Sequence, residues 1–171
     1  DVFSHVGGFG LAALANGAGS AVAVDGSAPA LELAAAGAER MGVAERYETV
    51  RAQAVDALKA FGEEERRFGV VICDPPAFAP NKPALTKGLR AYERTARLAA
   101  KLVEPGGWLV LCSCSHAADP VSFREACVRG IHAARRTAAL VREGGAGPDH
   151  PAHFALPETG YLKALFYRMT G

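Results

Sequence analysis

The stretch Gly69-Val70-Val71-Ile72-Cys73-Asp74-Pro75-Pro76-Ala77-Phe78 limits what this chain can fold into more than any other. Its apolar run reads as a short strand of the kind a parallel sheet covers on both faces. Pro75 and Pro76 lack an N–H and have a fixed φ, so strand pairing cannot continue through them. Asp74 is therefore expected at the carboxyl end of a central strand, the edge at which open α/β sheets place their ligands. Taken alone, the segment is equally a strand running into a Pro-rich turn. The chain upstream of it decides between the two.

Asp1 to Gly10 reads as a strand end closing in a Gly-rich turn, with a helix starting at Leu11. Ser20 to Asp25 is a second strand that ends in an acid, giving half a Rossmann unit: a tight turn, then a carboxylate able to bond ribose hydroxyls. A dinucleotide site needs Gly-x-Gly-x-x-Gly so that pyrophosphate can reach the helix N-terminus. Counted back from Gly10, the slots are Gly10, Gly7 and His5, and His5 breaks the pattern. A phosphate-free cofactor with a sulfonium and an amino-acid tail fits this turn better, although a β-α turn that uses small residues only for packing would look similar.

Ser27 can cap the next helix with Pro29 in its first turn, and Leu31, Leu33, Ala34, Ala38 and Met41 give that helix an apolar side. Tyr47 to Gln53 reads as a strand, with Gln53-Ala54 at its exit. Val55 to Arg67 reads as a charged helix with Leu58 and Phe61 inward. Ala84 to Val103 is a long helix preceded by Ala79-Pro80-Asn81-Lys82-Pro83. Between Lys82 and Lys101 six basic residues face one acid, Glu93. This surplus suits RNA phosphates and suits a solvated face equally, with Lys82, Lys87 and Arg90 nearest Asp74. Pro105-Gly106-Gly107 is a sharp turn into the strand Trp108 to Cys112, which ends at Ser113-Cys114-Ser115-His116. Asp119-Pro120 opens a helix with Phe123, Cys127 and Ile131 inward. A short strand is expected at Ala138 to Arg142, loop from Gly144 to Pro157, and a last strand from Tyr161 to Met169.

With 50% hydrophobic and 22% charged residues in 171, the chain describes one globular domain, residues 1–171, and a net charge of +1 names no partner. Four cysteines at this length do not form a secreted disulfide framework, so a reducing cytoplasm is expected. No signal peptide or bilayer-length apolar run stands out, and no membrane partner or metal is expected. The start at Asp1, inside a strand, reads as a domain that has lost an upstream segment. Oligomeric state stays open, a homodimer included.

In their order, Gly7-Gly8-Phe9-Gly10, Asp25, Asp74-Pro75-Pro76-Ala77-Phe78 and Ser113-Cys114-Ser115 resemble a class I methyltransferase of the ribosomal RNA large-subunit methyltransferase I type. Asn81-Lys82, Pro105-Gly106-Gly107, Asp149-His150-Pro151, Pro157-Glu158 and Tyr161-Leu162-Lys163 extend the resemblance nearly to Gly171. The resemblance implies a Rossmann-like fold: a mostly parallel seven-stranded sheet with an antiparallel last strand, and helices on both faces. It implies S-adenosylmethionine as cofactor, a cytosine carbon 5 in large-subunit ribosomal RNA as target, and an upstream RNA-binding domain of PUA type. The implied cofactor residues are Ser4, Gly7, Gly8, Phe9, Asp25, Gly26, Gln53, Ala54 and Asp74; the implied substrate residues are Pro75, Pro76, Phe78, Lys82, Lys87 and Arg90. Gln53 departs from the carboxylate often found there, and Ala77 from a Lys.

Carbon 5 of cytosine is a poor nucleophile, and a thiolate adding to carbon 6 activates it. Cys114 is the cysteine placed for this, since Cys73, Cys112 and Cys127 read as core. Asp74 would hold the base edge and its developing charge, and Phe78 would stack on the extruded base. His116 is a candidate base for the carbon 5 proton and equally a surface residue. Two other readings remain: methylation of an exocyclic nitrogen with Cys114 incidental, and a non-catalytic nucleotide-binding module.

Overall fold

The computed structural model describes residues 1–148, 150–151, 153, 155–156 and 159–170; the motif residues Asp149, Pro157 and Glu158 lie outside them. The chain divides into two compact units, residues 1–64 and 65–171.

In the first unit, strands β1 (Ala21–Asp25) and β2 (Tyr47–Arg51) pair in parallel, Asp25 opposite Arg51. Helices α1 (Gly8–Ala15), α2 (Ala28–Arg40) and α3 (Ala54–Glu63) alternate with them. Ser27 caps α2 by accepting from the Ala30 N–H at 3.3 Å, with Pro29 in the first turn as expected. Leu31, Ala34 and Ala38 are buried, but Leu33 is 59% exposed and Met41 43%, so the apolar side is narrower than the sequence suggests. Leu58 and Phe61 are buried on α3, which stops at Glu63, short of Arg67.

Two corrections concern the opening. The expected first strand survives only as one parallel bridge, Val2 to Val24. The Gly-rich turn closes earlier than Leu11, because Gly7 (φ 80°) is the N-cap of α1 and Gly8, Phe9 and Gly10 are already helical. A Cβ on Gly7 would collide with the Tyr47 hydroxyl, so only glycine serves there.

In the second unit the strand order is β3-β4-β6-β5: β3 (Phe68–Cys73), β4 (Val103–Ser113), β5 (Ala138–Gly144) and β6 (Lys163–Met169). β3 and β4 are parallel, while β6 is antiparallel to both β4 and β5, as expected of the last strand. Six strands are thus named among the described residues, where seven were expected. Val70 of β3 is 52% exposed, against the expectation of two covered faces. Pro105-Gly106-Gly107 does not precede β4 but lies inside it: Phe68 pairs with Val103 and Val70 with Trp108, so the intervening residues bulge out, Gly106 at φ 74°.

α4 (Leu85–Leu102) follows a 3₁₀ turn at Lys82–Ala84, and Asn81 caps that turn through the Ala84 N–H at 3.1 Å. The Arg136 guanidinium donates to the Ala100 and Val103 carbonyls at 3.0 and 2.8 Å, satisfying the far end of α4. α5 (Pro120–Ala133) is capped by the Asp119 carboxylate, which accepts from the Val121 and Ser122 N–H groups, each at 3.0 Å. Its Phe123, Cys127 and Ile131 are buried. Among the described residues no helix is long and apolar enough to cross a membrane.

Candidate functional site

In the first unit the candidate residues gather where β1 and β2 end. Asp25 closes β1, and its two carboxylate oxygens accept separately, one from the His5 N–H at 2.9 Å and the other from the Ser27 N–H at 2.8 Å. The turn is thereby tied to the acid by backbone alone. His5, read in the sequence only as a break in a glycine pattern, is the donor that orients Asp25. It sits at φ 48° and Phe3 at φ 64°, left-handed backbone that side chains seldom adopt and that clusters at ligand clamps.

Ser4 is tucked into the same turn: its N–H donates to the Val24 carbonyl at 3.0 Å and its carbonyl accepts from the Gly7 N–H at 2.8 Å. Its buried hydroxyl has no hydrogen-bond partner. Across the strand pair, the Ala52 N–H donates to the Asp25 carbonyl at 3.1 Å, and the Gln53 amide nitrogen lies 3.4 Å from where a Cβ on Gly26 would stand. Asp25, Gly26, Gln53 and Ala54 are therefore neighbours, with Gln53 exposed as the N-cap of α3. Gly8 and Phe9 are exposed on the first turn of α1. A partly exposed carboxylate oriented by two backbone N–H groups at the end of β1 fits a hydroxyl-bearing ligand.

In the second unit Asp74 follows β3 directly and is half-buried; burial pushes its carboxyl above the usual carboxylate range. Pro75 is buried, whereas Pro76 and Ala77 are exposed. The Cys114 thiol donates to the Pro75 carbonyl at 3.7 Å, so the sulfur rests on the Asp-Pro-Pro loop. Burial, then the charge of Asp74, raise the Cys114 pKa; its own backbone hydrogen bond and the Lys163 cation oppose them. Burial likewise pushes Cys73 and Cys112 up to about 12 and raises Cys127, leaving all three inert thiols.

Three hydroxyls that sequence reasoning passed over fix the turn around Cys114. Tyr92, on the buried side of α4, shares a hydrogen bond with the Ser115 hydroxyl at 2.7 Å and accepts from the Ser113 hydroxyl at 2.9 Å. The Ser113 oxygen accepts from the Ser115 N–H at 3.2 Å. The Ser115 oxygen also accepts from the Ala79 N–H at 2.9 Å, linking the cysteine turn to the loop after Phe78. Phe78 packs on the Tyr92 ring, centroids 4.9 Å apart, and Tyr92 packs edge-on against Phe123 at the same separation. The one signal in the sequence was a tyrosine among the apolar positions of a helix whose unit also holds two serines flanking a cysteine.

From β6, the Lys163 ammonium donates to the Ser115 and Tyr161 carbonyls at 2.9 and 2.8 Å, and burial lowers its pKa. His116 stacks on Tyr161, ring centroids 4.6 Å apart. Lys82, Lys87 and Arg90 are exposed, and no carboxylate pairs with them among the described residues.

The family model described as conserved hypothetical protein 95 matches residues 1–121, a span that runs from the turn at Ser4 through Asp25, Asp74 and Cys114. The chain belongs to that family. This conserved hypothetical protein 95 member is 38% identical over 164 residues to the ribosomal RNA large subunit methyltransferase I of Photobacterium profundum, covering 95% of this chain and 41% of that one. To the enzyme of the same name from Vibrio cholerae it is 37% identical over 166 residues, with 95% and 42% covered. The chain thus spans about two fifths of the length of these curated relatives. Among solved structures, a crystal structure titled as a "putative methyltransferase complexed with SAH" superposes with a TM-score of 0.83 at 20% identity, over 97% of this chain and 43% of that one. That likeness is one of fold, and the fold of this family member is Rossmann-like.

Proposed function

We propose that residues 1–171 act as one S-adenosylmethionine-dependent methyltransferase domain that modifies carbon 5 of a cytosine in large-subunit ribosomal RNA through a covalent Cys114 adduct. The observation that carries this reading is the Cys114 thiol resting on the Pro75 carbonyl, beside the acid that would hold the base. Cys114 is partly exposed there, whereas Cys73 and Cys127 are buried. The names of the curated relatives supply the RNA and the reaction class. The seventh strand of the expected sheet is assigned to the segment that bridges Val2 to Val24, and the cytoplasm to the working protein.

Asp25 would hold the ribose hydroxyls, Gln53 and Ala54 the adenine edge, and the turn of Ser4, Gly7, Gly8 and Phe9 the amino-acid end, with Gly26 completing the set in the first unit. When bound, S-adenosylmethionine supplies an electrophilic methyl group. Cys114 gives up its thiol proton and adds to cytosine carbon 6, which makes carbon 5 nucleophilic. Asp74, whose raised pKa suits a shared proton, hydrogen-bonds the N3 and N4 edge and offsets the charge that addition creates there. Once carbon 5 carries the methyl group, its proton passes to solvent water, the Cys114 sulfur leaves carbon 6 as a thiolate and the ring is restored. Pro75, Pro76 and Phe78 would wall the extruded base, and Lys82, Lys87 and Arg90 would meet phosphates.

The test is adduct trapping with RNA containing 5-fluorocytosine, whose fluorine cannot leave as a cation. The full-length protein should form a denaturation-resistant conjugate through Cys114, and Cys114→Ala should form none while binding the cofactor as before. Methylation that persists in Cys114→Ala would refute the covalent route and leave an exocyclic nitrogen as the target.

A further inference from the structure

We propose that the outer face of α4 is a rail for the phosphate backbone of the substrate RNA, reaching from the cysteine–aspartate site to Lys101; the proposal rests on the RNA methyltransferase reading above. Lys87, Arg90, Arg94, Arg97 and Lys101 follow one another at intervals of three, four, three and four residues. At 100° per residue these positions fall in an arc of about 80°, and at 1.5 Å rise they span about 21 Å. The arc lies opposite the buried side formed by Gly88, Tyr92, Thr95, Ala96, Ala99 and Leu102. All five cations are exposed.

An ordinary solvated helix face mixes the two signs of charge, because like charges three and four residues apart repel. This face has no acid on it. The one acid of α4, Glu93, sits beside the arc and is taken by Arg129 of α5 at 2.9 Å. On α5 the pattern is the ordinary one, Arg129 lying 3.8 Å from Glu125 one turn back on the same helix. None of the five α4 cations has a carboxylate partner among the described residues. In a chain whose net charge is only +1, five unopposed charges in one line call for a linear polyanion. One strand of a nucleic-acid helix carries a phosphate about every 3.4 Å along the axis, roughly six over this length. Lys87 and Arg90 begin the line at the end of α4 nearest Phe78 and Ala79, since a Cβ on neighbouring Gly88 would come within 2.7 Å of both. Arg94, Arg97 and Lys101 carry it onward, away from the chemistry.

The experiment measures binding of the full-length protein to a fluorescein-labelled 30-nucleotide single-stranded RNA of mixed sequence, across a series of salt concentrations. The variant R94Q/R97Q/K101Q should bind about tenfold more weakly at low salt. Its slope of log affinity against log salt should fall by about 2, at roughly 0.7 per phosphate contact on single strands. The charge-conserving variant R94K/R97K should keep the wild-type slope. An unchanged slope in the glutamine variant, or a lysine variant as weak as the glutamine one, would overturn the rail. So would a glutamine variant that loses binding only to vesicles of anionic phospholipid while binding RNA normally. Cys114→Ala, run beside them, should keep the full slope; if wild type traps no 5-fluorocytosine adduct yet the slopes behave as stated, the chemistry fails and the rail stands.

Discussion

Replacing Tyr92 by Phe removes one oxygen and nothing else from the second unit. The ring keeps its packing on Phe78 and Phe123, so no cavity larger than a hydroxyl is left. What is lost is the acceptor for the Ser113 hydroxyl at 2.9 Å and the partner of the Ser115 hydroxyl at 2.7 Å, both fully buried. A buried polar group left without its partner costs about 1–3 kcal/mol. With a urea dependence of about 2 kcal/mol per molar, the unfolding midpoint should drop by roughly 0.5–1.5 M. The single tryptophan, Trp108, lies on β4, the strand that ends at Ser113, and reports the transition by fluorescence. The same substitution frees the turn around Cys114, so adduct formation with 5-fluorocytosine RNA should slow even where the protein is fully folded. A double-mutant cycle with Ser113→Ala should return a coupling of about 0.5–2 kcal/mol. Equal midpoints and equal adduct rates in wild type and Tyr92→Phe would refute the idea that these hydroxyls hold the cysteine turn.

Cys114 has a raised pKa, so the midpoint of its alkylation by iodoacetamide against pH should lie above about 8.5, the midpoint of an unperturbed thiol. Lys163→Met should move that profile further upward, because the cation that favours the thiolate is gone; an unmoved profile would refute the role. Asp74 binds its proton more tightly in the folded than in the unfolded chain, so its contribution is present below the unfolded pKa and lost as pH rises through the folded one. Asp74→Asn should therefore raise the melting temperature at pH 7.5, with the gain closing towards pH of about 4, and should abolish methylation. Asp119→Ala should cost about 0.5–2 kcal/mol in urea unfolding by uncapping α5. Because the Asp119 carboxyl is held below the usual range by its bonds to Ser122, wild type should lose this advantage only as pH falls through that lowered value.

The parts of the fold that were legible in the sequence are those with local causes. Pro75 and Pro76 end β3 whatever surrounds them, which is why Asp74 was placed correctly. Ser27-x-Pro29 and Asp119-Pro120 announce helix starts through groups two or three residues away. Long-range causes were not legible. His5 looked like a defect because its contribution to Asp25 is a backbone N–H, which no side-chain pattern displays. Tyr92 read as one more apolar helix position, since only the fold brings Ser113 and Ser115 to its hydroxyl. Pro105-Gly106-Gly107 carries turn chemistry, yet pairing on either side with β3 absorbs it as a bulge within one strand. Val70 sits in an apolar run and is nonetheless 52% exposed, because what covers a strand's face comes from elements distant in the chain, which the run itself does not display.

The place of β6 in its sheet bears on how this protein is made. It is the last described strand along the chain yet third across the sheet, and β5 has no other partner among the described residues. During synthesis the outermost strand must wait unpaired until Lys163 to Met169 leaves the ribosome and slots in beside β4. The same strand delivers the ammonium group that grips the Ser115 carbonyl. A nascent chain stalled before that point would hold its cysteine turn from one side only, so competence for chemistry arrives with the final threading of the sheet.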